Sequence, residues 1–300
     1  MKKVICIVGP TGVGKSDISL EVARKFNNEI INGDSVQVYK KLNIGSAKLT
    51  DFKGIKHHLI DFLDLDHDYS VCDFQSDVRE LIAKIDRPLI VGGTGLYVKA
   101  ALYNYEFDDV KRDKEEDETY NDISTDKLYE MLKELDPNTN VDMYNRRRVI
   151  RAYIQALNNN ILSSRKGKDE PLYDILLICL TAPREIIYDR INRRVDKMID
   201  LGLVDEVKSL RAEGYKAMQI GYKEINNYLD GTYDLATAID EIKKNTRHYA
   251  KRQMTWFKNQ MNAVMVDILD NPLEKCIQLI EDFYAKWAFN GSFCLITILF

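Results

Sequence analysis

The sequence has few cysteines, and no two of them form a C-x-x-C pair. The five thiols are widely spaced and lie mostly in apolar surroundings; they are Cys6, Cys72, Cys179, Cys276 and Cys294. An odd number of scattered cysteines does not make a disulfide framework, and no Cys/His spacing typical of a zinc finger occurs. We therefore expect reduced thiols, no zinc site and a cytoplasmic location.

The sequence also lacks an apolar run near the roughly 20 residues that are needed to cross a bilayer. The apolar stretch at residues 293–300 is much shorter, so a packed or frayed tail is favoured over a membrane anchor. At the other end, Met1 to Lys3 lead directly into an apolar strand and a glycine-rich loop. Removing this segment as a signal peptide would destroy the loop, so we expect neither a signal peptide nor a membrane partner.

Neither sign of charge dominates the sequence. The 43 Lys and Arg residues and 47 Asp and Glu residues give a formal net charge of −4. This balance excludes a uniformly basic surface for nucleic acid, although it allows local basic patches. With 300 residues of which 45% are apolar, the chain can bury a full core as one large or two modest domains.

The strongest motif is the pattern G-x-x-x-x-G-K-[ST] near the start of the chain. It follows the apolar strand at residues 4–8 and precedes a segment with helical spacing of apolar residues. Its glycines let backbone N–H groups surround a polyphosphate, Lys15 reaches the outer oxygens, and the Ser16 hydroxyl is suited to Mg²⁺. The predicted phosphate-binding residues are Gly9, Pro10, Thr11, Gly12, Val13, Gly14, Lys15 and Ser16. The motif does not reveal whether the phosphate belongs to ATP.

Two further strand ends carry polar residues toward the same loop. Asp34 follows the apolar strand at residues 29–32, and Thr94 lies in the glycine-rich turn that follows the strand at residues 89–91. Ligands of open α/β sheets bind outside the carboxyl ends of the strands, so Asp34 is expected to face the phosphate. Alternatively, Asp34 caps a turn or holds Mg²⁺ through water. Thr94 offers a hydroxyl to the site or caps the next helix, and these roles are compatible.

The composition changes after Tyr103. Residues 106–118 contain eight acidic and three basic residues, which is typical of a solvated linker, and a helical pattern then ends at Asp136-Pro137. A buried strand returns only at residues 175–180. We therefore predict an α/β protein with a P-loop-type parallel sheet flanked by helices. Residues 1–103 and 172–300 form this core, residues 104–171 form a mostly helical insertion, and the part after Pro183 is helical.

Three basic segments are candidates for binding an anion. Residues 146–151 contain four arginines, of which Arg147, Arg148 and Arg151 share a broad helix face. This face suits a polyanion, or it is simply solvated. In the helix after Pro183, one arginine of three is suited to a bidentate contact with phosphate; they are Arg190, Arg193 and Arg194. Residues 243–258 interleave cations with aromatics, which favours phosphates and unpaired bases but also fits an ordinary amphipathic helix.

The order of these motifs resembles that of bacterial tRNA dimethylallyltransferases, over nearly the whole chain up to about Phe257. The shared segments are residues 9–16, 34–39, 45–48, 57–61 and 91–97, the arginine cluster, residues 221–224 and residues 247–257. The resemblance implies transfer of a dimethylallyl group from its diphosphate to N6 of the adenosine that lies 3′ of the anticodon. It also assigns the loop at residues 9–16 to the diphosphate rather than to ATP.

The resemblance further implies roles for individual residues. Asp34 is expected to be the general base, with Thr94 and Lys15 at the same centre, Arg194 on the diphosphate and Mg²⁺ on Ser16. The protein is expected to act as a monomer on tRNA. The residues expected to contact tRNA are Asp34, Ser35, Val36, Gln37, Arg147, Arg148, Arg151, Gln219, Gly221, Tyr222 and Lys223.

Two other functions remain possible for such a sequence. A nucleotide or small-molecule kinase uses the same loop and Mg²⁺. A kinase, however, is expected to close an apolar strand with a metal-binding aspartate, whereas residues 89–91 are followed by Gly92-Gly93. The other alternative is a tRNA-binding module in which the phosphate loop is vestigial.

Overall fold

The computed structural model describes residues 1–107, 119–164 and 169–292, the last seven of them by backbone alone. The chain divides into two compact units. The first comprises Met1–Leu102 and Pro171–Phe300, and the second comprises Tyr103–Glu170. Each unit has its own apolar core.

A six-stranded sheet forms the centre of the first unit, with the strand order β3-β2-β4-β1-β5-β6. Every neighbouring pair is parallel, so the carboxyl ends of all strands lie at one edge. This arrangement confirms the predicted α/β class. The strands are β1 (Lys3–Val8), β2 (Glu29–Asn32), β3 (His57–His58), β4 (Pro88–Gly92), β5 (Asp174–Thr181) and β6 (Val264–Asp267).

In the first unit, helices follow individual strands and also make up most of the later part of the chain. Helix α2 shows why such segments are helical: Ser70 and Asp73 form a capping box, and Phe74, Val78 and Ile82 recur every four residues on the buried face. The helices are α1 (Lys15–Phe26), α2 (Val71–Lys84), α3 (Gly95–Leu102), α6 (Arg184–Asp200), α7 (Leu203–Ala212), α8 (Tyr222–Leu229), α9 (Leu235–Gln260) and α10 (Pro272–Ser292).

Two apolar clusters hold the first unit together. In one, Ile5 and Ile7 of β1 pack with Leu20 of α1. In the other, Ile191 of α6 packs with residues of α7, α8 and α9, including Ile242. Burying each such side chain stabilises the fold by about 1.5–3 kcal/mol. Because β1 is flanked by neighbours on both sides, the loop at its carboxyl end starts from a firmly held strand.

The second unit is helical where it is described. Helices α4 (Thr125–Leu135) and α5 (Arg146–Leu157) pack through Leu128, Leu132 and Val149, and a single 3-10 turn follows at Leu162–Ser164. The Arg146 guanidinium donates to the carbonyls of Ile123 and Tyr120, both at 2.7 Å. Arg146 therefore fixes the start of α5, whereas the next arginines are left at its surface.

The structure departs from the sequence predictions at strand β6. Strand β6 was missed, since everything after Pro183 was expected to be helical. Its apolar run at residues 263–266 is too short for periodicity to distinguish a strand from part of a helix, and three of the four strand residues are exposed at the sheet edge. Strand β3 has only two residues, because the chain turns away through Leu59 and Asp61 at positive φ. The acidic linker lies mostly outside the described residues, and residues 293–300 lie wholly outside them. No helix in the described ranges is long and apolar enough to span a membrane.

Candidate active site

A cavity of about 400 Å³ lies in the first unit, at the carboxyl edge of the sheet. The loop after β1, the ends of β2 and β4, and the helices α6 and α9 all contribute to its wall. The structure thus brings together the phosphate loop, Asp34, Gln37 and Arg194, which the sequence had placed far apart. The lining residues are Thr11, Gly12, Gly14, Lys15, Ser16, Asp17, Asn32, Asp34, Gln37, Ser46, Ala47, Val91, Gly92, Arg190, Arg194 and Gln253.

The phosphate loop leads into the amino terminus of α1. Gly14 precedes the helix at a φ of 98°, in the left-handed region where a side chain is strained. The free N–H groups of the first helical turn and the helix dipole favour an anion at this position. The side chain of Val13 is 1% exposed and belongs to the core, so this residue offers only backbone to a ligand.

Lys15 is held by its own loop. Its Nζ donates to the carbonyls of Gly9 and Pro10, both at 2.9 Å. Burial lowers the pKa of Lys15 to about 8, although the nearby Asp34 carboxylate opposes this shift and Arg194 adds to it. The carbonyls of Gly9 and Pro10 therefore fix the lysine rather than line the cavity, and an incoming anion would raise the pKa of Lys15 again.

Asp34 lies beyond the end of β2 and is fixed by Asn32. The Asn32 side chain accepts from the Asp34 N–H and donates to the Asp34 carbonyl, both at 3.1 Å. Asp34 Oδ1 accepts from the N–H groups of Val36 at 2.8 Å and Gln37 at 3.4 Å. Its Oδ2 has no hydrogen-bond donor among the described residues. Asp34 therefore caps a turn with one oxygen and lines the cavity, which joins two roles that the sequence left as alternatives.

Thr94 links the turn after β4 to the segment that follows Asp34. Its N–H donates to Gly33 O at 3.2 Å, and its Oγ1 accepts from the Ser35 N–H at 3.2 Å. Tyr249 of α9 also interacts with the Thr94 side chain; burial raises the pKa of the Tyr249 phenol, and the Asp34 carboxylate raises it further. Thr94 thus bonds the residue that follows Asp34, but it is not among the residues that line the cavity.

Of the three arginines on α6, two reach the cavity. Arg194 Nη1 donates to the Thr11 hydroxyl at 3.1 Å, and Arg190 Nη1 donates to Val13 O at 3.1 Å. Burial lowers the pKa of Arg194, and the Asp34 carboxylate opposes this shift. Arg193 instead points to solvent and pairs with Asp189 on the same helix. The cavity wall therefore contains Arg194, the arginine chosen from the resemblance, and also Arg190.

Three residues of this centre, Asn32, Tyr249 and Gln253, were given no role from the sequence, and Arg190 was only one of three candidate arginines. Asn32 and Arg190 carried weak signals, since one ends a strand and the other belongs to the arginine group on α6. Gln253 and Tyr249 carried none that distinguished them within the basic segment of α9. Gln253 reaches the cavity only because α9 packs against loops that lie 160 and 242 residues earlier.

The residues expected to contact tRNA have varied environments. Arg147, Arg148 and Arg151 are exposed on α5 of the second unit, and Lys223 is exposed on α8 of the first. Tyr222 departs from the surface contact that was expected, because its side chain is fully buried. Gly221 is buried beside it, and in the described structure Gln219 Oε1 is buried without a hydrogen-bond partner. Asp34 and Gln37 line the cavity, whereas Ser35 and Val36 are not among its lining residues.

Comparison with known proteins identifies the family. The model of the IPP transferase family matches residues 37–260. A tRNA dimethylallyltransferase of Acholeplasma laidlawii is 47% identical over 290 residues, which cover 94% of this chain and 99% of the relative. The chain belongs to the IPP transferase family. This membership confirms the predicted activity, transfer of a dimethylallyl group to N6 of an adenosine in tRNA, and gives no support to the kinase alternative.

Solved structures of IPP transferases agree with the fold. The full-length tRNA isopentenylpyrophosphate transferase of Bacillus halodurans has 37% identity and a TM-score of 0.75, covering 97% of this chain and all of that one. A eukaryotic dimethylallyltransferase acting on tRNA has 28% identity and a TM-score of 0.80, covering 95% of this chain and 80% of that one. The fold of this chain is therefore found in a eukaryotic as well as a bacterial enzyme.

Proposed function

We propose that this cavity binds both substrates of an IPP transferase. The diphosphate lies on the loop at residues 9–16, and the target adenine lies beside Asp34. One observation carries the proposal: Asp34 and the phosphate loop line the same 400 Å³ cavity. A group that accepts a proton thus lies next to a site that accepts negative charge. Prenyl transfer to an amine needs this combination.

The reaction forms a bond from N6 of the adenine to the first carbon of the dimethylallyl group. The carbon–oxygen bond to the diphosphate breaks, and its electron pair leaves with the diphosphate. Lys15, Arg194 and the N–H groups at the start of α1 stabilise the charge that develops on this leaving group. Asp34 takes the proton that N6 loses. Thr94 keeps Asp34 in place through its hydrogen bond to the Ser35 N–H.

Mg²⁺ is the proposed metal, with Ser16 as its ligand from the protein. No cluster of three or more His, Cys, Asp or Glu suited to a metal occurs in the described part of the chain. Mg²⁺ bound through one or two protein oxygens and substrate phosphates needs no such cluster, and Ser16 lines the cavity with an oxygen. When bound, the ion would neutralise part of the diphosphate charge.

The tRNA is proposed to bind through exposed cations while its target base leaves the stack. Unstacking a base costs a few kcal/mol, and contacts to the extruded base offset this cost. The contacts to the tRNA phosphates are assigned to three cations of the predicted insertion, residues 104–171: Arg147, Arg148 and Arg151. Lys223 of α8 is also assigned to the tRNA. We further expect the enzyme to act as a cytoplasmic monomer.

The deciding experiment supplies the purified protein with unmodified tRNA and radiolabelled dimethylallyl diphosphate, and analyses the nucleosides of the product. Label on adenosine 3′ of the anticodon is expected. A parallel reaction with γ-labelled ATP and no prenyl donor tests for phosphoryl transfer. Labelled phosphate transfer without prenylation would contradict the proposal. The variant Lys15→Ala tests whether the loop is vestigial, because unchanged prenylation would remove it from the reaction.

A further inference from the structure

The side chain of Gln253 bridges the backbones of two loops in the first unit. Its Oε1 accepts from the Thr11 N–H at 2.9 Å, and its Nε2 donates to Gly93 O at 2.9 Å. The residue is 5% exposed, although it lies in a helix whose neighbouring positions Arg252 and Thr255 are exposed. Both ends of the amide are therefore used inside the fold.

One of the two loops belongs to the proposed diphosphate site, and the other belongs to the proposed site of the general base. Thr11 belongs to the loop that holds the diphosphate, and its hydroxyl accepts from Arg194. Gly93 precedes Thr94, whose hydroxyl accepts from the N–H group of Ser35, next to Asp34. Gln253 thus joins the site of the leaving group to the site of the base, and no other described side chain bonds the backbone of both loops.

We propose that Gln253 is a positioning residue that fixes the spacing between the diphosphate loop and the Asp34–Thr94 centre. This inference rests on the proposed function of both loops. Transfer requires the amine, the allylic carbon and the departing oxygen to be aligned, and a misplacement of about 1 Å can cost about 100-fold in rate. A buried bridge between the two loops supplies this alignment before either substrate binds.

The local packing allows only this side chain to make the bridge. A Cβ built on Gly93 would lie 2.2 Å from Nε2 of Gln253, so glycine is needed for the approach. Glutamate has no N–H to give to the Gly93 carbonyl, and asparagine is one methylene shorter. Helix α9 is held at this level by buried Ala250 and Phe257, one turn before and one turn after Gln253. The amide therefore projects from a fixed helix.

Two variants of the full-length enzyme test the inference. Gln253→Met keeps the size and removes both hydrogen bonds without adding charge, while Gln253→Glu keeps an acceptor and removes the donor. We expect each to lower kcat by about 10- to 100-fold and to raise the KM for dimethylallyl diphosphate several-fold. The KM for tRNA should stay within about twofold, because Gln253 bonds protein groups with its oxygen and its nitrogen, including the side chain of Tyr249. Binding of inorganic pyrophosphate, measured by calorimetry, should weaken in parallel.

The matched control is Gln278→Glu, the same change at an exposed position of α10. It should leave kcat and both KM values unchanged. A purely structural role for Gln253 predicts a lower melting temperature but normal kcat and KM well below it. Folded Gln253→Met with the kcat and pyrophosphate affinity of the unmodified enzyme would overturn the inference. Normal prenylation by both Lys15→Ala and Asp34→Asn would instead overturn the proposed function of the cavity, so the two failures are distinguishable.

Discussion

The carboxylate of Glu206 on α7 accepts a hydrogen bond from the buried hydroxyl of Tyr222 on α8 at 2.7 Å. The same carboxylate accepts from the backbone N–H groups of Asn43 at 3.3 Å, Ile44 at 2.9 Å and Gly45 at 3.2 Å. Burial and the Glu206 charge both raise the pKa of Tyr222, so the phenol keeps its proton as the donor. Glu206 thereby ties two helices to the loop that brings Ser46 and Ala47 to the cavity.

Replacing Glu206 should destabilise the fold. Glu206→Ala leaves one hydroxyl and three backbone N–H groups without their acceptor, and we expect a loss of about 2–4 kcal/mol in the free energy of unfolding. Tyr222→Phe removes one hydrogen bond and should cost about 1 kcal/mol. Urea denaturation measures both. The exposed neighbour Asp205 provides the control, since Asp205→Ala should cost less than about 1 kcal/mol. A Glu206→Ala protein as stable as this control would contradict the prediction.

Substitution of Asp34 separates its two roles. Asp34→Asn keeps an oxygen that accepts from the Val36 N–H but abolishes the base, so kcat should fall by about 10²- to 10⁴-fold while stability is retained. Asp34→Ala should show the same loss of kcat and, in addition, a lower melting temperature, because the turn loses its cap. Single-turnover prenylation and thermal unfolding provide the readouts. Normal turnover of Asp34→Asn would exclude Asp34 as the base.

The affinity for dimethylallyl diphosphate should depend on pH through Lys15. In the free enzyme its pKa is lowered to about 8, whereas the bound diphosphate raises it again. Binding therefore takes up a proton above this pH, and affinity falls as pH rises through about 8, by up to tenfold per pH unit. Titration calorimetry between about pH 7 and pH 9 measures the effect. Lys15→Arg stays charged and should show a flat profile; an equally steep profile for this variant would assign the titration to another group.

Arg194 and its neighbour Arg193 form a natural pair of test and control. Arg194→Lys loses the fork that suits a phosphate, so the KM for dimethylallyl diphosphate should rise by about tenfold or more, with little change for tRNA. Arg193 pairs with Asp189 at the surface, and Arg193→Lys should leave the KM for both substrates unchanged. Steady-state kinetics with each substrate varied in turn measures both. Equal effects of the two substitutions would argue against a diphosphate contact by Arg194.

Removing the charge of Arg147, Arg148 and Arg151 should weaken tRNA binding. With all three changed to glutamine, the slope of log K against log salt concentration should fall by about 2–3, since each phosphate contact contributes about 0.7–0.9. Filter binding over a range of salt concentrations gives the slope, and kcat at saturating tRNA should change little. A control with the same loss of charge replaces three exposed, ion-paired cations by glutamine: Arg24, Lys84 and Lys275. Matching slopes for the two triple variants would contradict the assignment.

Local sequence rules predicted most of the framework. The glycine loop, the buried strands β1, β4 and β5 and the helices with a regular apolar face follow from patterns within about ten residues, where chain geometry alone fixes the outcome. Strand β6 was missed because its apolar run at residues 263–266 spans only four residues, which periodicity alone does not distinguish from part of a helix. Tyr222 was expected at the surface but is buried. A sequence motif shows where a residue lies along the chain, but it does not show whether the side chain points to solvent or into the core.

The α/β class, the phosphate loop and the carboxylate at the next strand end thus follow from the order of the amino acids. Which distant groups complete the site depends on the folded arrangement. Arg194 reaches Thr11, and Gln253 reaches both Thr11 and Gly93, across separations of 160 residues or more. Such contacts depend on how helices pack onto the sheet, and this packing results from the summed burial of many side chains rather than from any local motif.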